Sequence, residues 1–133
     1  MKIRSEPLTE QETHELRTLL EAAGGASLEF ARGVFGASAT APTRKDVTDW
    51  LPWIVGDQLT DQTQLKRLVA LVMRDFHACG ECFALGVPVV PPAGDEEAIR
   101  AYCRGYVRVA HGDARWKADM LSLIHISEPT RLR

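Results

Sequence analysis

Residues 61–85 read DQTQLKRLVALVMRDFHACGECFAL, and this stretch decides the fold class. Leu65, Leu68, Val69, Val72, Met73 and Phe76 recur three and four residues apart, the spacing of one face of an α-helix. Thr60 or Asp61 is a suitable N-cap, and the pattern runs to about Phe83 or Leu85, with Gly80 weakening its last turn. A helix of this length is the largest apolar face in the chain, and its neighbours must cover it.

The same helical spacing extends on both sides. Leu8 to Ala23 forms a helix with the capping-box pair Thr9 and Glu12 and the apolar stripe Leu8, Leu16, Leu19, Leu20 and Ala23. Gly24-Gly25 stops it. Ser27 caps a second helix from Leu28 to Ala39 with Phe30, Val34 and Phe35 at helical spacing. Gly33 and Gly36 there allow a close neighbour. Asp49 to Gly56 reads DWLPWIVG, a short helix capped near Asp49 with Pro52 in its first turn. Its two tryptophans, Trp50 and Trp53, are expected to plug the core, a peptide groove being the functional alternative. Residues 86–94 carry Pro88, Pro91 and Pro92 and form a loop. Asp95 caps a helix from Glu96 to about Ala110, expected to be lined on one side by Ile99, Tyr102, Cys103, Tyr106, Val107 and Ala110. Gly112 breaks it, and Asp113 starts a further helix through Trp116. The expectation is an all-α, single compact domain of about five to six helices.

Composition narrows the function classes. The chain has 133 residues, 45% of them hydrophobic and 26% charged, with a formal net charge of −2. Those values suit one soluble domain and argue against a disordered chain. A near-neutral balance argues against a dedicated nucleic-acid binder. No apolar run approaches a membrane span, and the first residues lack the apolar core of a signal peptide. Three cysteines, an odd number, argue against a disulfide framework and for the cytoplasm.

Few residues carry recognisable chemistry. Cys79-Gly80-Glu81-Cys82 is a C-x-x-C, and with His77, Cys103 and His111 it makes a zinc site or thiol-disulfide pair conceivable. It sits on a helix, no second C-x-x-C supplies further ligands, and small buried cysteines are common in cores. G-x-S-x-G, H-E-x-x-H and phosphate-loop motifs are absent from the sequence. Carboxylates such as Asp46, Asp57 and Asp61 fall where caps and wet faces explain them. Arg100, Arg104 and Arg108 form an i, i+4, i+8 row that suits either a solvated ridge or an acidic partner or RNA phosphate.

Three segments together resemble a known family. Tyr102-Cys103-Arg104-Gly105-Tyr106-Val107-Arg108 looks like the W-C-R-G-[FY] signature of the YecA/YgfB-like uncharacterised protein family. The segment around Trp50, Leu51 and Pro52 resembles its E-W-L-P-x-[IL]-[WF]-G step, and Ala26-Ser27-Leu28-Glu29 its M-S-L-E-E helix start. Asp113-Ala114-Arg115-Trp116 is similar to the D-x-x-x-W step that follows. The order is right, and the likeness spans about residues 8–120. The chain departs from it where the second helix lacks the Asp of L-D-G-F-L, where Tyr102 stands in place of the usual Trp, and where Val109 replaces the Gly usual after the basic residue.

The resemblance implies a bacterial, cytoplasmic, all-helical interaction module without catalytic activity, acting on an unidentified protein partner. It implies signature roles, structural or interaction, for Trp50, Leu51, Pro52, Tyr102, Cys103, Arg104, Gly105 and Tyr106. YecA-like members often carry a C-terminal cysteine-rich zinc motif, so zinc is expected only in a C-terminal extension and no cofactor in this stretch. The alternative is a zinc-binding or thiol-redox protein using Cys79 and Cys82.

The end of the chain reads differently. Residues 121–131, LSLIHISEPTR, resemble the in-frame translation of a transposase-type sequencing adapter. The expected organisation is an N-terminal extension at 1–7, the helical domain at 8–120 and an adapter-derived tail at 121–133. The tail holds Arg131, Arg133 and Glu128, so without it the net charge passes from −2 to −3.

Overall fold

The computed structural model describes residues 6–41, 46–87 and 89–111. Within them the chain forms five α-helices and no strand: α1 Glu10–Ala22, α2 Leu28–Thr40, α3 Val47–Val55, α4 Gln62–Ala84 and α5 Glu96–His111. The domain is all-α, as the periodicity implies. The helix expected from Asp113 and the tail from Leu121 lie outside the described residues.

Side-chain caps set most of the helix starts. Thr9 Oγ1 accepts from the Glu12 N–H at 3.1 Å, and Glu12 Oε1 accepts from the Thr9 N–H at 3.0 Å, completing the capping box of α1. The Phe30 N–H donates to Ser27 Oγ at 3.2 Å at the start of α2. Asp61, rather than Thr60, caps α4 by accepting from the Thr63 and Gln64 N–H groups at 2.8 and 3.3 Å. Asp95 Oδ1 accepts from the Ala98 N–H at 3.1 Å at the start of α5.

The start of α3 corrects the sequence reading. Its N-cap is Asp46, and Asp49 is the third helical residue, accepting from the Asp46 N–H at 3.4 Å. Pro52 is therefore the sixth helical residue and lies beyond the first turn. Its missing N–H deprives the Thr48 carbonyl of a helical partner. Pro52 and Thr48 are both exposed, so the freed Thr48 carbonyl is open to solvent.

The centre of the fold is α2, whose Leu28, Ala31, Gly33, Val34, Phe35, Gly36 and Ala37 are all buried. Buried positions on almost every side make it the helix that the others surround. On one side Phe35, Trp50 of α3 and Phe76 of α4 form an aromatic triad with ring centroids 4.9–5.6 Å apart in edge-on and tilted pairs. Trp50 is 1% exposed, so it is the expected core plug. Trp53 is only partly buried. Backbone bonds from the Ala26 N–H to the Ile54 carbonyl and from the Gln58 N–H to the Ala23 carbonyl, both 2.9 Å, tie the α1–α2 turn to the end of α3.

Helix α4 buries Leu68, Leu71, Val72, Ala78 and Cys79, and with them the carboxylate of Asp75, 3% exposed. Arg32 of α2 reaches across with a two-point fork, Nε to Oδ2 at 3.0 Å and Nη2 to Oδ1 at 3.1 Å. A carboxylate that deep is tolerable only with such a partner. Nearer the surface, Arg74–Glu12 and Arg67–Glu15 clasp α4 to α1 at 2.8 and 2.9 Å, and Arg17–Glu29 joins α1 to α2 at 2.7 Å.

Candidate interaction surface

The site begins with two glycines. Gly33 of α2 faces the Tyr102 carbonyl of α5, and Gly105 of α5 faces the Phe30 carbonyl of α2. A Cβ on either glycine would collide with backbone on the facing helix, so the two helices touch main chain to main chain. Tyr102 continues the seam, its hydroxyl lying where a Cβ on Gly36 would sit. Tyr106 ends it with a 2.8 Å hydrogen bond between its hydroxyl and that of Thr40, and the two tyrosine rings stack at 6.4 Å. The close contact over Gly105 is thus made by the backbone of α2.

This seam corrects the expected lining of α5. Its buried residues are Ala101, Tyr102, Gly105 and Val109. Close approach selects the smallest side chains, Ala101 and Gly105, and so rotates the longer apolar stripe outward. Ile99 is 36% exposed, Val107 is 55% exposed, and Cys103 is also exposed. Ile99, Cys103 and Val107 are spaced i, i+4, i+8, so they form one continuous apolar strip on the outer face.

Beside that strip lies a shallow groove of about 470 Å³ lined by Phe30, Cys103, Arg104, Val107, Arg108 and His111. Its floor is apolar and its rim is cationic, and among the described residues none that lines it is acidic. The Arg108 guanidinium sits 4.4 Å from the centroid of the Trp53 ring, so α5 and the tryptophan segment of α3 meet here. A second hollow of about 480 Å³ lies between α1 and the start of α2, lined by His14, Arg17 and Ser27 among others. There Arg17 is already engaged by Glu29.

The signature residues thus divide into two sets. Trp50, Tyr102 and Gly105 are buried and hold the fold together, and Leu51 and Tyr106 are half-buried beside them. Pro52, Cys103 and Arg104 are exposed.

The C-x-x-C lies within α4, Cys79 facing the core and Cys82 half-buried. Burial, reinforced by the negative charge of Asp75, pushes the Cys79 thiol up to about 12, so it is protonated at neutral pH. A reactive cysteine needs the opposite shift. Cys103 and His111 are on the exposed side of α5, and among the described residues no three His, Cys, Asp or Glu side chains are grouped to hold a metal ion. Among the described residues no helix is long and apolar enough to cross a membrane.

Sequence reasoning missed the Arg32–Asp75 pair. Asp75 lies one residue before Phe76, within the apolar run, and a carboxylate on that face was the available signal. The chain matches no family model, no curated protein and no solved structure.

Proposed function

We propose that this chain is a non-catalytic helical interaction module of the YecA/YgfB-like kind, acting in the cytoplasm, whose α5 outer face docks a protein partner. The observation that carries this reading is the strip Ile99, Cys103 and Val107, an apolar face left exposed beside a groove. Contiguous exposed apolar surface rimmed by polar groups marks interaction sites more often than isolated exposed residues do. The family likeness supports the same reading, since it implies a module without catalytic activity. Of the signature residues, Tyr102 and Gly105 then seat α5 on α2, Trp50 packs α3 into the core, and exposed Cys103 and Arg104 face the partner.

The test is a quantitative affinity capture from bacterial lysate with the wild-type chain and with Val107→Asp as baits. Val107 is exposed, so the substitution leaves the core intact. Proteins retained by the wild type and lost with Val107→Asp are the expected result. Identical retention by both baits would remove the α5 face from the proposal.

A further inference from the structure

We infer that the α5 groove takes an acidic, amphipathic helical segment of a partner protein. The inference rests on the interaction reading above and adds the chemistry of the partner.

The first argument is how the described arginines are paired. Arg17 holds Glu29, Arg32 holds Asp75, Arg67 holds Glu15, Arg74 holds Glu12 and Arg100 holds Glu96. Arg104 and Arg108 are the two that hold no carboxylate among the described residues, and both lie on the groove rim. Arg108 instead rests against Trp53 at 4.4 Å. The chain as a whole is net acidic, so carboxylates are not scarce in it. A guanidinium presents a planar fork that matches a carboxylate. Arg104 and Arg108 are four residues apart on one helix, about 6 Å along its axis. Two carboxylates one helical turn apart on a partner meet them in register.

The second argument is the floor. Phe30, Cys103 and Val107 offer apolar surface between the cations. An amphipathic helix laid in such a groove seats apolar side chains at i and i+4 and keeps its acidic flank on the rim. Phosphodiester backbone would satisfy the cations but leave that apolar floor wet. A second copy of this chain would bring its own Arg104 against this one, which like-charge repulsion opposes.

The test uses the full chain as bait in selection from an unbiased library of displayed helical peptides. Affinities of the enriched peptides are then measured by fluorescence anisotropy. The expected outcome is enrichment of net-acidic peptides with apolar residues at i and i+4. Their binding should weaken about tenfold or more in Arg104→Glu and also in Val107→Asp. Arg104→Glu should in turn gain affinity for peptides whose Glu residues are replaced by Lys. Circular dichroism of both variants confirms that the helices are intact. Enrichment of neutral or basic peptides, binding unchanged by Arg104→Glu, or no enrichment at all would each overturn the inference. So would tighter binding of a labelled single-stranded RNA at the same residues, or a dimer in sedimentation that Val107→Asp dissociates. Partners captured by the chain that depend on Val107 but ignore Arg104→Glu would leave the interaction reading standing and defeat only the acidic partner.

Discussion

The main-chain contact between α2 and α5 makes opposite predictions for two glycines that look alike in sequence. Gly105 and Gly80 both lie inside helices, where Gly is about 1 kcal/mol worse than Ala. A Cβ on Gly80 meets nothing within 4 Å, so Gly80→Ala should stabilise the domain by about that 1 kcal/mol. A Cβ on Gly105 lands on the Phe30 carbonyl and within 3.1 Å of the Val34 nitrogen. These are backbone atoms of the most buried helix, and they cannot rotate aside as a side chain could. Relief requires α5 to move off α2, which loosens Tyr102 and Val109 as well. Overpacking costs of about 1–3 kcal/mol or more therefore exceed the propensity gain. Gly105→Ala should lose roughly 1–2 kcal/mol net, and Gly105→Leu more. Urea denaturation followed by circular dichroism reads both variants, with the midpoint shift at constant slope giving the stability change. If Gly105→Ala stabilises the chain as Gly80→Ala does, the helices do not touch there, and the outward rotation of Ile99, Cys103 and Val107 loses its cause.

Other perturbations have separate readouts. Trp50→Ala should cost about 3–5 kcal/mol because the ring is buried against Phe35 and Phe76, whereas partly exposed Trp53→Ala should cost clearly less in the same melts. Arg32→Ala leaves the Asp75 carboxylate buried and unpaired and should cost about 3–5 kcal/mol, with Arg32→Met plus Asp75→Leu recovering much of the loss. The Arg74 hydrogen bond, helped by the Thr9 backbone N–H, holds the Glu12 carboxyl at about 2 against a usual 4.5. A folded-state value below the unfolded one contributes stability that is fully present above about 4.5 and is lost as pH falls toward about 2. Glu12→Gln should accordingly flatten the acid limb of a stability-versus-pH curve in that window and leave the neutral limb parallel. Purified chain should carry substoichiometric zinc, unchanged by Cys82→Ser, as measured by elemental analysis. A stoichiometric metal lost with Cys82→Ser would favour the zinc alternative.

The fold was legible where local signals act alone. Thr9, Ser27, Asp61 and Asp95 could be read as caps because each side chain meets its own helix start. Trp50 could be read as core because so large an apolar ring has few other places to go. Asp46 was missed because Asp49 is also a good capping residue, and only the path of the chain decides which of them precedes the first turn. The buried face of α5 was misassigned for a physical reason. Periodicity ranks faces by hydrophobicity, and here close approach selected the face with the smallest side chains, Ala101 and Gly105. The clue was present in the glycines themselves, Gly33 and Gly105, each costly in a helix unless another backbone lies over it. The groove was illegible because Phe30 reaches it from α2, seventy-three residues before Cys103 in the chain. The Arg100–Arg104–Arg108 row was visible, but not that Arg104 and Arg108 would meet no carboxylate among the described residues while the other described arginines did.

The claim that the α5 outer face docks a partner is tested most directly by photocrosslinking from Cys103, the exposed cysteine on that face. A benzophenone maleimide placed there, in a Cys82→Ser background, sits at the edge of the groove. Irradiation in bacterial lysate should yield a discrete protein adduct whose crosslinked peptide is acidic and amphipathic. The same probe on α1, at exposed Glu21→Cys with Cys103→Ser, should not yield that adduct. Equal adducts from both positions, or none from Cys103, would contradict the account.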